Sequence, residues 1–362
     1  MNNHLDEFRD PLLASEMAGK LKAFRCRPCN IMEVCGTHTV SISRYGIRGM
    51  LPEGIRLVSG PGCPVCVTPV GYIDAAVQLA QIPDVILTTF GDLMRVPGTS
   101  TALLKEKALG RDIRVVLSPL DSVKIAAENP CKKVVFLSVG FETTVPVSAL
   151  SVMNAESSGI HNYYLLSANK TMPAVLETLA SDSEANVDGY LYPGHVSAIT
   201  GTGFYEKLAD KLGTPGVVAG FEPLDILYAV MKLLEFISEG KAEVFNQYSR
   251  IVRKEGNAAA LEVMNSVFEP CRSYWRGIGE IEGSGLKLRE KYRHFDAWQQ
   301  YGISCGSLSE PAGCMCGPIL KGTKKPSDCA LFDKVCTPEN PVGACMVSSE
   351  GTCAAYHKYG GI

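Results

Sequence analysis

The feature of this sequence that most constrains its fold is an alternation of short apolar runs and amphipathic stretches between residues 30 and 240. The runs are rich in β-branched residues and apolar on both faces, which is typical of buried parallel strands. The predicted strands are residues 31–34, 55–59, 84–89, 113–117, 133–139, 163–166, 189–191 and 216–219. Between them, segments such as 73–80 and 227–234 carry apolar residues at helical spacing. This alternation predicts an α/β fold with doubly wound parallel sheets. Eight strands are enough for two such sheets, with a boundary placed near residue 120.

The loops after these strands carry reactive side chains beside glycines that allow sharp turns. They read CGTHT (35–39), GPGCPVC (60–66), TFGD (89–92), GFETT (140–144), YPGH (192–195) and GFEP (220–223). In open α/β sheets, ligands bind beyond the carboxyl ends of strands. Loops of Gly, Pro and acids also occur in proteins without a site there, but six such strand ends favour a functional site.

The character of the chain changes after residue 240. Residues 241–268 are predicted to be helical with an interruption at Gly256, and residues 271–288 to be an irregular connection into a short strand or helix. From Ser304 onward the sequence is rich in Cys, Gly and Pro and shows little periodicity. Such a segment buries too little apolar surface to offset its conformational entropy, and a metal cluster would supply the missing stabilisation.

Cysteine is the one unusual component of the composition. Of 14 cysteines, five precede residue 67 and seven follow residue 304. The polar, acid-containing N-terminus does not read as a secretory leader, so we expect a cytoplasmic protein. A reducing cytosol keeps thiols free, and the clusters therefore favour metal or redox chemistry over a disulfide framework.

The C-terminal cysteines form the largest group. They are Cys314, Cys316, Cys329, Cys336, Cys345 and Cys353. The last four lie on Gly- and Pro-containing loops, which suits a [4Fe–4S] cluster with four cysteine ligands. A structural zinc site is the alternative, but such sites usually show two tight CxxC knuckles that these spacings do not form. Which four of the six thiols bind stays open.

Two further cysteine groups lie near the N-terminus. Cys63-Pro-Val-Cys66 follows a predicted strand, where a CxxC turn favours thiol–disulfide cycling. The alternative is half of a zinc site completed by the Cys26-Arg-Pro-Cys29 pair.

The CGTHT loop brings a thiol and an imidazole three residues apart, as Cys35 and His38. They are a candidate base and nucleophile, or a ligand pair for iron, copper or zinc.

Several blocks resemble the HypD family of hydrogenase maturation factors. They are CGTHT, GPGCPVC, TTFGDLMRVPG, VGFETT, YPGHVSAI, SYWRGIG and CTPENPVGACMVSSEGTCAAYHKYG, in the same order from about residue 30 to the C-terminus. The resemblance implies a scaffold on which the Fe(CN)2CO unit of [NiFe] hydrogenases is assembled. It also implies work with a HypC chaperone, cyanide delivery through HypE and HypF, and the hydrogenase large subunit as an indirect beneficiary.

The family fold implies two α/β domains facing a cleft, at residues 31–120 and 121–240. Residues 1–30 plus 241–362 would then form a mixed, Cys-rich domain that holds the [4Fe–4S] cluster.

The resemblance also implies roles for individual residues. Cys35 would hold the iron with His38 beside it, and Cys63 and Cys66 would form the redox-active pair. The cleft would be lined by His195 and Glu350. The cluster would be held by Cys329, Cys336, Cys345 and Cys353. The Cys26-x-x-Cys29 pair is a departure from the family pattern.

Two other functions remain compatible with the residues: an iron–sulfur-dependent thiol–disulfide oxidoreductase, and a zinc-stabilised interaction module. A formal net charge of −3 argues against nucleic acid or an anionic membrane as partner. The most apolar stretch, 225–237, is too short to span a bilayer. No GxGxxG follows a predicted strand, and residues 317–324 miss the P-loop pattern.

Overall fold

The computed structural model describes residues 6–182, 184–306 and 310–360. Its strands, in chain order, are β1 (Cys29–Glu33), β2 (Ile55–Ser59), β3 (Val85–Thr89), β4 (Ile113–Val115), β5 (Lys133–Ser138), β6 (Tyr163–Ser167), β7 (Gly189–Pro193), β8 (Gly216–Ala219), β9 (Val244–Asn246), β10 (Phe268–Trp275) and β11 (Gly279–Leu288). The eight predicted strands correspond to β1–β8, with ends displaced by two residues at most. The α/β class with parallel sheets is thereby confirmed.

The α-helices are α1 (Pro11–Ala23), α2 (Gly36–Arg44), α3 (Pro64–Val67), α4 (Val70–Gln81), α5 (Leu103–Ala108), α6 (Pro119–Glu128), α7 (Val145–Ser157), α8 (Met172–Ala180), α9 (Gly194–Thr200), α10 (Gly203–Leu212), α11 (Pro223–Glu239), α12 (Ala258–Val267), α13 (Ala297–Gln300), α14 (Cys316–Leu320) and α15 (Thr352–Tyr359). Short 3₁₀ helices lie at Asp6–Arg9, Ile47–Met50, Gly91–Arg95, Glu290–Phe295, Pro326–Asp328 and Ala344–Met346. Within the described residues, no helix combines the length and apolarity needed to cross a bilayer.

Two parallel sheets carry the fold. The first has the order β2-β1-β7-β8-β9 and the second the order β4-β3-β5-β6. The chain therefore leaves the first sheet after β2, builds the whole second sheet, and returns at β7. The predicted limit at residue 120 does not separate the sheets, because it falls between β4 and β5, two strands of the same sheet. Apolar patterning identifies a buried strand but does not say which strand becomes its neighbour.

Two segments assigned to the third domain belong to the first sheet. Helix α1 packs on α11, where Leu21 shares a core with Leu233, and β9 pairs with β8. Residues 241–268 are helical only over α12, and residues 271–288 lie mostly in the antiparallel hairpin β10–β11. The predicted helix is thus confirmed only after Gly256, and the predicted irregular connection at 271–288 was wrong. Pro270 in β10 and the glycines of β11 weakened the strand signal.

Strand register places the carboxyl ends of three strands of the first sheet at one level. Ile31 of β1 pairs with Leu57 of β2 and with Gly189 of β7. The ladder continues one step beyond the strands, since Gly60 N donates to Glu33 O at 2.9 Å. The chain after each strand therefore enters the same region, which is where the candidate site lies.

Candidate functional site

A cleft of about 530 Å³ lies between the two sheets at the carboxyl ends of their strands. All six strand-end loops singled out in the sequence contribute to its lining. The lining includes Thr37, Gly62, Pro64, Val65, Phe90, Gly91, Asp92, Val139, Gly140, Phe141, Thr143, Thr144, His195 and Phe221, joined by Ser348 and Glu350 from the C-terminal segment. The convergence that parallel strands predict is present.

Cys35 lies at the N-cap of α2, directly after β1, and is buried. Its Sγ stands 3.8 Å from Nδ1 and 3.9 Å from Nε2 of His195, which begins α9 after β7. Burial, reinforced by the charge of Glu350, raises the pKa of the Cys35 thiol to about 12. The metal-free site therefore holds a protonated thiol, and any metal that binds there must displace its proton.

Glycine is required where the CGTHT and GPGCPVC loops meet. Gly36 N donates to Gly62 O at 3.3 Å. A Cβ on Gly62 would stand 1.8 Å from Val34 O and 2.4 Å from the Cα of Cys35. Backbone packs directly on backbone at this point, which fixes Cys35 next to the CxxC turn.

Cys63 and Cys66 form a disulfide with Cα atoms 5.2 Å apart. Both residues are buried at the start of α3, and Cys66 N donates to Cys63 Sγ at 3.2 Å. Pro64 and Val65, which lie between them, line the cleft. The disulfide of the predicted pair therefore lies buried behind the residues that line the cleft.

His38 points away from the cleft although it is only three residues from Cys35. Its ring is buried, and Nε2 donates to Gly220 O at 2.9 Å. Its centroid lies 4.7 Å from the Phe221 ring, which also contacts His195 at 5.2 Å. Burial lowers the pKa of each histidine to about 4, so both rings are neutral at physiological pH. In this geometry His38 anchors the GFEP loop, and His195 faces the thiol.

Two carboxylates, those of Asp92 and Glu350, also line the cleft. Thr37 Oγ1 donates to Glu350 Oε1 at 2.6 Å, and Ser348 Oγ donates to Asp92 Oδ2 at 3.3 Å. Burial, together with the charge of Asp92, raises the pKa of Glu350. Sequence reasoning singled out the loop of Asp92 but not the residue, and missed Thr37. The sequence feature that could have identified both residues is their position in a loop directly after a predicted strand.

The C-terminal thiols surround a second, small apolar cavity. It is lined by Cys314, Cys316, Cys329, Cys336, Cys345 and Cys353. Cys316 Sγ and Cys345 Sγ are 2.8 Å apart. Among the described residues, no group of three or more Cys, His, Asp or Glu side chains is arranged to hold a single metal ion. A set of thiols around an apolar space fits an iron–sulfur cluster, which takes one thiolate per iron, better than a lone ion.

Arg276 lies between the two sulfur sites and was not predicted. It is fully buried, with its backbone N donating to Val67 O at 2.8 Å and Nε donating to Thr68 O at 2.9 Å. Its positive charge interacts with Cys316 and Cys345. The only signal for it in the sequence was its place in the SYWRGIG block.

Cys26 and Cys29 lie apart from both sulfur sites. Cys29 begins β1, whereas Cys63 follows the opposite end of the neighbouring β2. The alternative of a shared zinc site between the two CxxC pairs is therefore wrong. Burial raises the pKa of Cys29 to about 12.

Comparison with known proteins gives one consistent result. The model of the family described as HypD, hydrogenase formation hypA family, matches residues 13–360. The hydrogenase maturation factor HypD of Rhodobacter capsulatus is 45% identical over 367 residues, covering 98% of this chain and 97% of that protein. The HypD of Cupriavidus necator is 44% identical, with 99% and 97% covered. The hydrogenase expression/formation protein HupD of Azotobacter chroococcum mcd 1 is 43% identical, with the same coverage.

Proposed function

This chain belongs to the HypD family of hydrogenase maturation factors, and from that premise we propose that its cleft is the scaffold for assembly of the Fe(CN)2CO unit of [NiFe] hydrogenases. The observation that carries the proposal is that His195 and the loops carrying Cys35 and the Cys63–Cys66 disulfide converge at one cleft. A thiolate suits iron that carries strong-field cyanide and CO ligands.

In this proposal Cys35 is the protein ligand of the cargo iron. Its thiol is protonated in the free protein, so iron binding releases a proton. The neutral imidazole of His195 has both ring nitrogens within 4 Å of the sulfur, so it can relay that proton to solvent, but with a pKa lowered to about 4 it does not keep it. The carboxylate of Glu350, held by Thr37, then offsets the positive charge gathered in the cleft.

The Cys63–Cys66 pair is proposed to be redox-active. Closing the dithiol to the disulfide releases two electrons and two protons, and opening it takes them up again. The proximity of the pair to Cys35 supports this role, because the loop that carries it packs directly on the backbone of Cys35. Cys66 also belongs to the same packed core as Cys316 and Cys345, so the two sulfur sites are joined by continuous protein.

A resident [4Fe–4S] cluster fits the C-terminal thiols. Because Cys316 and Cys345 stand closer than two independent ligands would, we assign them as a pair. The ligands are then Cys314, Cys329, Cys336 and Cys353, which replaces Cys345 of the predicted set by Cys314. When bound, the cluster would supply electrons at low potential. The residues of this chain contribute an apolar cavity that excludes water.

The ligand assignment has a direct test with matched variants. C353S should abolish the visible absorbance of anaerobically purified protein, and C345S should leave its intensity nearly unchanged. Loss of the absorbance in C345S together with its retention in C314S would mean that Cys345, and not Cys314, is the fourth ligand, as the sequence predicted.

The proposed partners follow from the family. They are a HypC-type chaperone that shares the iron with Cys35, HypE with HypF as the source of cyanide, and the hydrogenase large subunit as the indirect acceptor. Each predicts a complex that co-purifies with this chain under anaerobic conditions.

Infrared spectroscopy tests the scaffold function. Anaerobically co-purified protein should show stretching bands of bound CN and CO, and C35A should abolish them while leaving the cluster absorbance. C131A, which changes an exposed thiol outside both sites, is the control and should retain the bands. Bands that survive in C35A would contradict the assignment of Cys35.

The cleft-wall disulfide also favours a second function, that of a stand-alone thiol–disulfide oxidoreductase. This reading predicts turnover with a disulfide-containing protein substrate and no requirement for Cys35. Turnover by C35A at the wild-type rate, in protein without CN and CO bands, would favour it over the scaffold.

A further inference from the structure

A separate cavity of about 330 Å³ lies beyond the carboxyl end of β6. Its walls come from the loop 167–170, the hairpin β10–β11, and the segment around α13. None of its lining residues lines the cleft or the cysteine cavity. The chemistry proposed above makes no use of it.

Lys170 is a buried cation in the wall of this cavity, with 1% of its surface exposed. Nζ donates to Ser273 Oγ at 2.6 Å and to Tyr274 O at 2.8 Å, and it lies 5.3 Å from the centroid of the Trp275 ring. These partners are neutral. Within the described part of the chain, no carboxylate lies within ion-pair distance of Lys170. An ammonium group has three N–H donors, so one remains for a ligand.

A buried charge without a counter-ion is unfavourable. In agreement, burial lowers the pKa of Lys170 to about 8. An anion in the cavity would remove this penalty, which is a thermodynamic reason for the site to be filled.

The remaining cavity wall is aromatic and aliphatic. The rings of Tyr72 and Trp298 lie 5.9 Å apart between centroids. The polar atoms of both are already used, because Tyr72 Oη donates to Leu166 O and Trp298 Nε1 donates to Ser167 O. Both side chains therefore offer ring surface to a ligand. Leu286 adds aliphatic surface.

The other charged side chains around the cavity already have ion-pair or hydrogen-bond partners, and Glu280 has one in Arg272. Arg272 pairs with Glu282 and Lys287 pairs with Glu269 at its rim. Asp296 in its wall accepts from the N–H of Trp298. Among the described residues that line the cavity, Lys170 is thus the cation without an ion-pair partner, and its positive charge is the one that a ligand could neutralise. A monoanion would neutralise it, whereas a dianion such as phosphate would leave a buried negative charge.

We propose that this cavity binds a small organic carboxylate with a flat apolar body. The carboxylate would accept the free N–H of Lys170, and the body would lie against Tyr72 and Trp298. Its volume lies at the lower end of the range usual for small-molecule sites.

Lys170 also links the loop after β6 to the hairpin β10–β11 through its hydrogen bonds. If this structural role were its only one, the cavity would bind no ligand. Binding experiments separate the two roles. The chain has two tryptophans; Trp298 lines this cavity and Trp275 lies 5.3 Å from Lys170 Nζ, so intrinsic fluorescence reports on it. Benzoate is a suitable anionic probe, and benzamide is its neutral counterpart of the same shape.

We expect saturable fluorescence changes with benzoate and at least tenfold weaker binding of benzamide to the wild-type protein. K170M should weaken benzoate binding at least tenfold, in line with the loss of a charge-assisted hydrogen bond. K232M, the same substitution on α11 of the other sheet, should bind benzoate like the wild type. Inorganic phosphate should bind more weakly than benzoate.

Several results would overturn the proposal. One is the absence of a saturable response to benzoate up to about 10 mM, which corresponds to negligible affinity. Another is equal binding of benzoate and benzamide, or tighter binding of phosphate than of benzoate. The last is unchanged benzoate binding in folded K170M. If K170M does not fold, the comparison of benzoate with benzamide on the wild-type protein decides the question alone.

Discussion

The thiol of Cys35 should react with an alkylating reagent far more slowly than an ordinary cysteine. Burial and then the charge of Glu350 raise its pKa from the ordinary value of 9.0 to about 12. Only the thiolate reacts. A pKa about three pH units higher lowers the thiolate fraction roughly a thousandfold at any pH below 9. Steric protection by the cleft walls slows the reaction further.

The assay is alkylation with iodoacetamide in metal-free, oxygen-free protein between pH 7 and pH 9, followed by mass spectrometry of the Cys35 peptide. The reference is the same residue in protein unfolded in urea. Exposed Cys131 serves as the internal control, since folding should change its rate little.

We expect Cys35 to react at least about a thousandfold more slowly in the folded protein than in urea, in proportion to its thiolate fraction. E350Q should speed the reaction, because it removes a negative charge that disfavours the thiolate. A folded-state rate within about tenfold of the unfolded rate would refute the reasoning, since it requires a pKa much closer to the ordinary value. So would a rate that stops rising with pH near 8.

Three further predictions concern stability. Burial lowers the pKa of His38 from 6.5 to about 4. Between these two pH values the unfolded chain protonates His38 and the folded protein does not. The free energy of unfolding therefore falls as pH drops from 6.5 to 4, by roughly 3 kcal/mol for this residue. H38Q should flatten that part of the stability–pH curve measured by urea denaturation. G62A should lower the free energy of unfolding by about 3 kcal/mol, measured by thermal denaturation, because the added Cβ would meet a backbone carbonyl oxygen at 1.8 Å. G49A is the control: its added Cβ has nothing within 4 Å, so the free energy of unfolding should change little. D225N should cost roughly 3 kcal/mol, because it breaks a buried pair in which Arg250 contacts both carboxylate oxygens at 2.8 and 2.6 Å; a loss below about 1 kcal/mol would mean that the pair contributes as little as an exposed one.

Much of the fold was predictable because its strands are short, apolar and β-branched. The hairpin β10–β11 was not, since Pro270 interrupts it and its exposed positions carry Glu, Arg and Lys. The partition of strands between the sheets was also missed. Pairing of β1 with β7 joins residues more than 150 positions apart, and nothing in either run of sequence encodes the other.

The candidate site was predictable to the extent that it follows strand ends. Cys35, Cys63 and His195 lie on such loops, and parallel strands bring those loops together. The direction in which a side chain points was not predictable, as His38 shows by turning from the cleft toward Gly220. The pairing of Cys316 with Cys345 depends on the packing of an aperiodic segment, for which spacing carries no signal.

We propose that this chain holds two separate kinds of iron: a cargo iron at Cys35 and a cluster at the C-terminal thiols. Iron and acid-labile sulfide should therefore be determined in anaerobic wild-type protein and in C35A. C35A should contain one iron atom fewer per chain than the wild-type protein and the same amount of sulfide. Equal iron in both proteins, or a parallel loss of iron and sulfide in C35A, would contradict it.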